Sequence, residues 1–162
     1  MIFEESVFAK YRGKRVLLDA NLLLLFLIGS FERNRIERFK RTTDFTVSDF
    51  DLLATLLQEF RSVVTTPHLL TEVSNLSNSL PEYLKTDWFY HFASQTENFL
   101  EVMHPAISIM NETSFNRYGL ADAAIHSAAT ETLVLTEDYR LSGFLRSQGI
   151  DVLNFNDLRQ MI

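Results

Sequence analysis

Residues 16–29 read VLLDANLLLLFLIG and constrain this chain more than any other stretch. An apolar run enters an acid at Asp19, and Asn21 then opens a second apolar run. The second run lacks the period of a half-exposed helix and is too short to cross a bilayer. The pattern predicts a central parallel strand ending at Asp19, followed by a buried helix from Asn21. A charge placed between apolar runs costs on the order of several kcal/mol if it stays unpaired. The carboxyl end of a strand gives such a charge a purpose, because open α/β sheets bind their ligands there.

The chain has 162 residues, 46% of them hydrophobic, which is enough to close one core and too few to expect two. A single domain over residues 1–162 is expected. A net charge of -6 and a pI near 5.2 argue against a protein that coats nucleic acid non-specifically, while leaving room for a local basic patch that docks phosphate. The absence of cysteine excludes disulfides and thiolate zinc sites. Lys10, Arg12, Lys14 and Arg15 before the apolar run imitate a secretory signal. However, Asp19 and Asn21 interrupt that run, and no small-residue cleavage site precedes Glu32. The expected location is cytoplasmic, with no membrane partner.

Along the chain, residues 1–15 form an amphipathic lead-in with Phe3, Val7 and Tyr11 at helical spacing, closed by Gly13. Residues 31–42, FERNRIERFKRT, are the most basic stretch of an acidic protein; they read either as a solvated helix face or linker, or as a phosphate-contacting rim. Ser48 is the expected N-cap of a helix over residues 49–60. SVVTTP predicts a short strand, and Pro67 then suits the first turn of a helix with Glu72 at the flank of its apolar stripe. A long aromatic helix is expected over residues 82–103, with Trp88, Phe89, Phe92 and Phe99 as core or dimer surface rather than a base-stacking platform. His91 and His104 lack partners at metal-ligand spacing and read as structural. Residues 110–118 are helix or loop, and a helix from Gly119 carries Asp122 in its first turn. The strand LVLT leads directly into Glu137 and Asp138. A helix from Tyr139 capped by Gly149, a last strand in IDVLNF and a tail helix NDLRQMI complete the pattern. This alternation implies α/β architecture: a central parallel sheet with helices on both faces.

Asp19 and Asp138 each stand at the carboxyl end of a buried strand. If those strands are neighbours, the acids share an edge, since adjacent strands lie about 4.8 Å apart. Asp122 and Glu72 sit on helices that join the same edge, so four carboxylates converge on one crevice. Each raises the pKa of the others unless positive charge compensates. All-oxygen ligation suits magnesium or manganese, which polarise a phosphodiester and activate water. Singly, Asp122 reads as a helix-terminus acid, Asp138 as an N-cap and Glu72 as a solvated glutamate; the joint pattern carries the inference.

The motifs VLLDANLLL, TTPHLLTEV, GLADAAI and LVLTEDYRLSGFLRSQGIDVLNF occur in the order of a PIN domain, and nearly the whole chain resembles that family of VapC-type toxin ribonucleases and RNA-processing nucleases. The resemblance implies a PIN-like three-layer α/β/α sandwich with Asp19, Glu72, Asp122 and Asp138 as both metal ligands and catalytic residues, and Asn21 and Thr136 orienting them. It further implies Mg2+ or Mn2+ as cofactor, an RNA substrate, a homodimer and an antitoxin partner. The extra sequence around residues 31–46 and 78–99 departs from a minimal toxin, and Glu137 beside Asp138 leaves two acids for one position, with the Thr-x-Asp register favouring Asp138. His126, one turn after Asp122, reads as structural. Arg33, Arg35, Arg38 and Arg41 are candidates for steering RNA. The rival readings are a PIN-like binding or scaffold protein without turnover, a non-toxin RNA-processing nuclease, and a phosphoryl-accepting receiver domain. The last would need a lysine after a late strand, which LVLTED and IDVLNF do not provide.

Overall fold

The computed structural model describes residues 2–161. The expectations for residues 1 and 162, the ends of the lead-in and of the tail helix, lie outside the described residues. Five strands form one parallel sheet: β1 (Arg15–Leu18), β2 (Ser62–Thr65), β3 (Leu100–Glu101), β4 (Thr132–Thr136) and β5 (Val152–Asn154). Their order is β3-β2-β1-β4-β5. The chain therefore builds outward from β1 in one direction and returns to build in the other. Right-handed crossovers place the helices of the outward and return connections on opposite faces, giving three layers. The expected α/β/α architecture is what forms.

The helices are α1 (Ile2–Tyr11), α2 (Ala20–Phe31), α3 (Val47–Leu57), α4 (Pro67–Ser77), α5 (Glu82–Thr96), α6 (Ala106–Met110), α7 (Thr113–Ala128), α8 (Tyr139–Ser147) and α9 (Phe155–Arg159). Helix α2 is apolar nearly all round because it is covered nearly all round: Leu22, Leu23, Leu24, Leu25, Leu27 and Ile28 are all buried, between the sheet and α3, α4 and α5. Burying each such side chain contributes about 1.5–3 kcal/mol. Gly29 lets α3 approach, since a Cβ there would lie 2.2 Å from the Phe50 ring. No helix among the described residues is long and apolar enough to cross a membrane.

Several expected boundaries move. The N-cap before α3 is Thr46 rather than Ser48: its hydroxyl accepts from the Asp49 N–H, while Asp49 accepts from the Thr46 N–H at 2.7 Å, a reciprocal capping box. The helix expected over residues 82–103 ends at Thr96, and the chain then pairs as β3 on the sheet edge. Its Trp88 is fully buried, stacked on Phe92 and edge-on to Phe31. In α1, Val7 and Tyr11 are buried as expected, but Phe3 is half exposed. The basic stretch is neither long helix nor loose linker: a 3-10 turn at Arg33–Arg35 leads into tight turns pinned by buried Ile36, Phe39, Thr42 and Phe45. The segment before Asp122 is helical, with a break at Gly119 (φ 81, ψ 178). Gly149, at φ +77, terminates α8 as expected.

Candidate active site

β1 and β4 are neighbours, with Leu18 opposite Leu135. The crevice beyond their carboxyl ends is where the winding reverses, the place at which a doubly wound sheet opens for a ligand. Asp19 leaves β1 directly into it. Its backbone N–H donates to the Leu135 carbonyl at 3.1 Å, so the pairing of the strands continues to the acid itself.

Asp19 is buried and caps α2: Oδ1 accepts from the Leu22 N–H at 2.8 Å. Its Oδ2 accepts from the Thr136 hydroxyl and from the Glu137 N–H. Burial pushes its pKa up more strongly than these donors pull it down. Thr136 is fully buried, and its hydroxyl also accepts from the Asp138 N–H at 3.1 Å. One hydroxyl thus ties the first acid to the turn that presents the last.

Asp138 is exposed, and its Oδ1 caps α8 by accepting from the N–H groups of Arg140 and Leu141 at 2.7 and 3.0 Å. The reading of Asp138 as an N-cap is therefore correct, and its Oδ2 has no hydrogen bond among the described residues. Glu137 accepts from Asn21 Nδ2 at 2.8 Å. Burial and the proximity of Asp19 raise the Glu137 pKa.

Asp122 lies half-buried in the second segment of α7, past the Gly119 break, and α7 packs against α4, which carries Glu72. Its pKa is pushed up to about 7, first by burial and then by the negative charges of Asp19, Glu72 and Asp138. The four acids singled out in the sequence therefore share one electrostatic neighbourhood. Glu72 is exposed, yet desolvation raises its pKa as well. Among the described residues neither Asp122 nor Glu72 has a hydrogen-bond partner, and no group of three or more Asp, Glu or His side chains is arranged to hold a metal ion as it stands. The donor chemistry nonetheless fits magnesium or manganese, which keep several waters and take one or two carboxylates directly. Asp122, Glu72 and Asp138 Oδ2 retain the free lone pairs for it.

The remaining candidates separate cleanly. Arg33 pairs with Asp51 at 2.6 Å and Arg35 with Glu32 at 3.0 Å, while Arg38 and Arg41 are exposed and unpaired among the described residues. His126 contacts Glu112 at 3.1 Å and stands edge-on to Phe144; His91 contacts Ser30 Oγ at 2.9 Å, and burial lowers its pKa. The tail contributes residues to which sequence reasoning gave no role. Asn156 Nδ2 donates to the Glu137 carbonyl at 2.8 Å, and Arg159 grips both carboxylate oxygens of Asp49. No local motif announces them, because their partners lie elsewhere in the chain.

Fold and site together define an α/β protein with an acid crevice at the point where its sheet reverses winding. No family model, curated protein or solved structure matches the chain.

Proposed function

We propose that this chain is a magnesium- or manganese-dependent endoribonuclease of the PIN type. The observation that supports this reading is that Asp19 and Asp138 follow the ends of the neighbouring strands β1 and β4, while the charges of Asp19, Glu72 and Asp138 all act on Asp122. Asp19, Glu72, Asp122 and Asp138 would hold a divalent ion, which would supply Lewis-acid activation of the phosphodiester and of water.

The chain's own part is to hold charge in place before the ion arrives. Asp19 is fixed by three donors and serves as the anchor. Thr136 fixes the turn, and Asn21 draws Glu137 to one side, which favours Asp138 as the fourth acid. Asp122 holds a proton near neutrality because it is buried and its neighbours are negative, and it would give that proton up if a cation were bound beside it. Binding of manganese at pH 6 should therefore release a proton, seen as a buffer-dependent heat in titration calorimetry.

The finer assignment we favour is the toxin of a VapBC-like pair, acting as a homodimer and restrained by an antitoxin. Co-expression with the product of an adjacent small gene should relieve growth arrest if this is so, and a chain that is harmless on expression would shift the role to RNA processing. A scaffold without turnover is supported by the open arrangement of the acids. Single-stranded RNA incubated with manganese decides between the two: cleavage that disappears in Asp19→Asn supports the nuclease, and cleavage equal to wild type in that variant rejects the assignment.

A further inference from the structure

At the opposite, amino-terminal edge of the sheet lies a groove of about 820 Å³ lined by Lys10, Lys14, Arg15, Arg61, Leu100 and Glu131, among others. We propose that it binds the phosphodiester backbone of a single-stranded nucleic acid. The parallel topology brings the cations together: Arg15 opens β1 opposite Ser62 of β2, so Arg61 precedes the neighbouring strand at the same level. Two backbone bonds at 2.7 Å fix the loops, Gly13 N–H to the Glu59 carbonyl and Arg61 N–H to the Lys14 carbonyl. Gly13, at φ +73, lets α1 stop and turn there.

The charges are not cancelled locally. Lys10 is paired with Asp151 and Arg12 with Glu59, both at 2.6 Å, but Lys14, Arg15 and Arg61 are exposed and have no ion pair among the described residues. The lining contains one carboxylate, Glu131. Three uncompensated cations gathered in one concavity of a chain of net charge -6 repel one another, and a polyanion relieves that repulsion. The groove is larger than a single phosphate ion needs. Tyr11 is in the lining, but its ring is buried and faced by the Lys10 and Lys14 ammonium groups at 5.2 and 5.7 Å, which leaves little of it for a base to stack on. Recognition is therefore of backbone rather than sequence. β1 has four residues, so the acid crevice lies about 13 Å away along the strand direction. The proposal rests on the nuclease reading only for RNA as the polymer.

The test is fluorescence anisotropy of a labelled single-stranded RNA dodecamer with the full chain, in chelator so that cleavage plays no part. Lys14→Ala/Arg15→Ala/Arg61→Ala should weaken binding by about tenfold or more at low salt and reduce the slope of log affinity against log salt by about 2, since each phosphate contact on a single strand contributes roughly 0.7. Arg61→Ala alone should remove about 0.7 of that slope, which keeps the test decisive if the triple variant fails to fold by circular dichroism. Unchanged affinity and slope overturn the proposal, as does displacement of the RNA by equivalent inorganic phosphate or polyglutamate. Wild type that binds in chelator through these residues but never cleaves with manganese keeps the groove and removes the nuclease. Cleavage with unaltered binding in the triple variant does the reverse.

Discussion

The two edges of one sheet carry opposite charge in opposite ways. At the carboxyl edge Asp19 is buried, Asp122 and Glu137 are half-buried, and their charges are raised in energy by burial and by one another. At the amino edge Lys14, Arg15 and Arg61 stay exposed, and solvent pays most of the cost of bringing them together. On the proposed function the first edge would take a small, highly charged ion whose binding changes protonation. On the proposed groove the second would take a long, flexible polyanion whose binding depends on salt. Parallel topology makes the division possible, because every strand starts at one edge and ends at the other.

The sharpest way to break the contrast is at Asp19. Asp19→Asn keeps the shape but removes the anchor charge, and should lower manganese-dependent RNA cleavage by about 100-fold or more while leaving RNA binding in chelator intact. Equal losses of cleavage and binding would show that the two edges are not separable. Thr136→Val removes the hydroxyl that serves Asp19 and the Asp138 N–H together. It leaves Asp19 Oδ2 with the Glu137 N–H alone and the Asp138 N–H without its acceptor, so urea denaturation should show a loss of about 1–3 kcal/mol. Cleavage should fall by about tenfold or more, as for an outer-shell partner of a metal ligand. A neutral effect on both would mean that the turn is held by its backbone alone.

Protonation gives a finer comparison. Between its ordinary 3.8 and the folded value of about 7, Asp122 keeps a proton in the folded chain that the unfolded chain has lost. Its stabilising contribution is complete below pH 3.8 and is lost as pH rises through about 7. The raised Asp19, Glu72 and Glu137 act in the same direction. Behind the amino edge the sign reverses: Lys10 and Tyr11 hold the Asp151 carboxyl below its usual range, so that contribution is present above pH 3.8 and disappears below it. In chelator, wild type should be less stable at pH 8 than at pH 5, and Asp122→Asn should flatten that difference. A slope unaltered by the substitution would remove Asp122 from the cluster; added manganese should raise stability more at pH 8 than at pH 5.

The acid edge was legible in the sequence because Asp19 and Asp138 follow continuous apolar strands and Asp122 follows the Gly119 break, where charge has few explanations; Glu72, inside α4, carried no such signal of its own. What escaped was set by contacts between distant segments. β3 has two exposed residues, too few to show a pattern, and was read as the end of α5. Thr46 and Ser48 are equivalent caps locally, each with an acid three residues on; Arg159 grips Asp49 while Arg33 takes Asp51, and that tertiary choice favours Thr46. The amino-edge cations were seen only as an imitation of a secretory signal, because Arg61 joins them from 46 residues further along.

The smallest expected effect concerns the basic stretch, where four arginines looked alike in sequence and are not. Arg33 and Arg35 are engaged with Asp51 and Glu32, so their charge is already answered. Exposed pairs of this kind contribute about 0.2–1 kcal/mol, and Arg33→Ala should cost no more than that in urea denaturation. Because its field is largely cancelled, RNA affinity should change by less than about twofold. Arg38→Ala/Arg41→Ala removes two unanswered charges and should lower the salt slope by up to about 1.4 if RNA passes over this turn, without affecting stability. If Arg33→Ala instead weakens RNA binding as much as the Arg38/Arg41 pair does, intramolecular pairing is not what separates binding cations from structural ones in this chain. The same criterion, which singled out Lys14, Arg15 and Arg61 over Lys10 and Arg12, would then lose its force at the amino edge too.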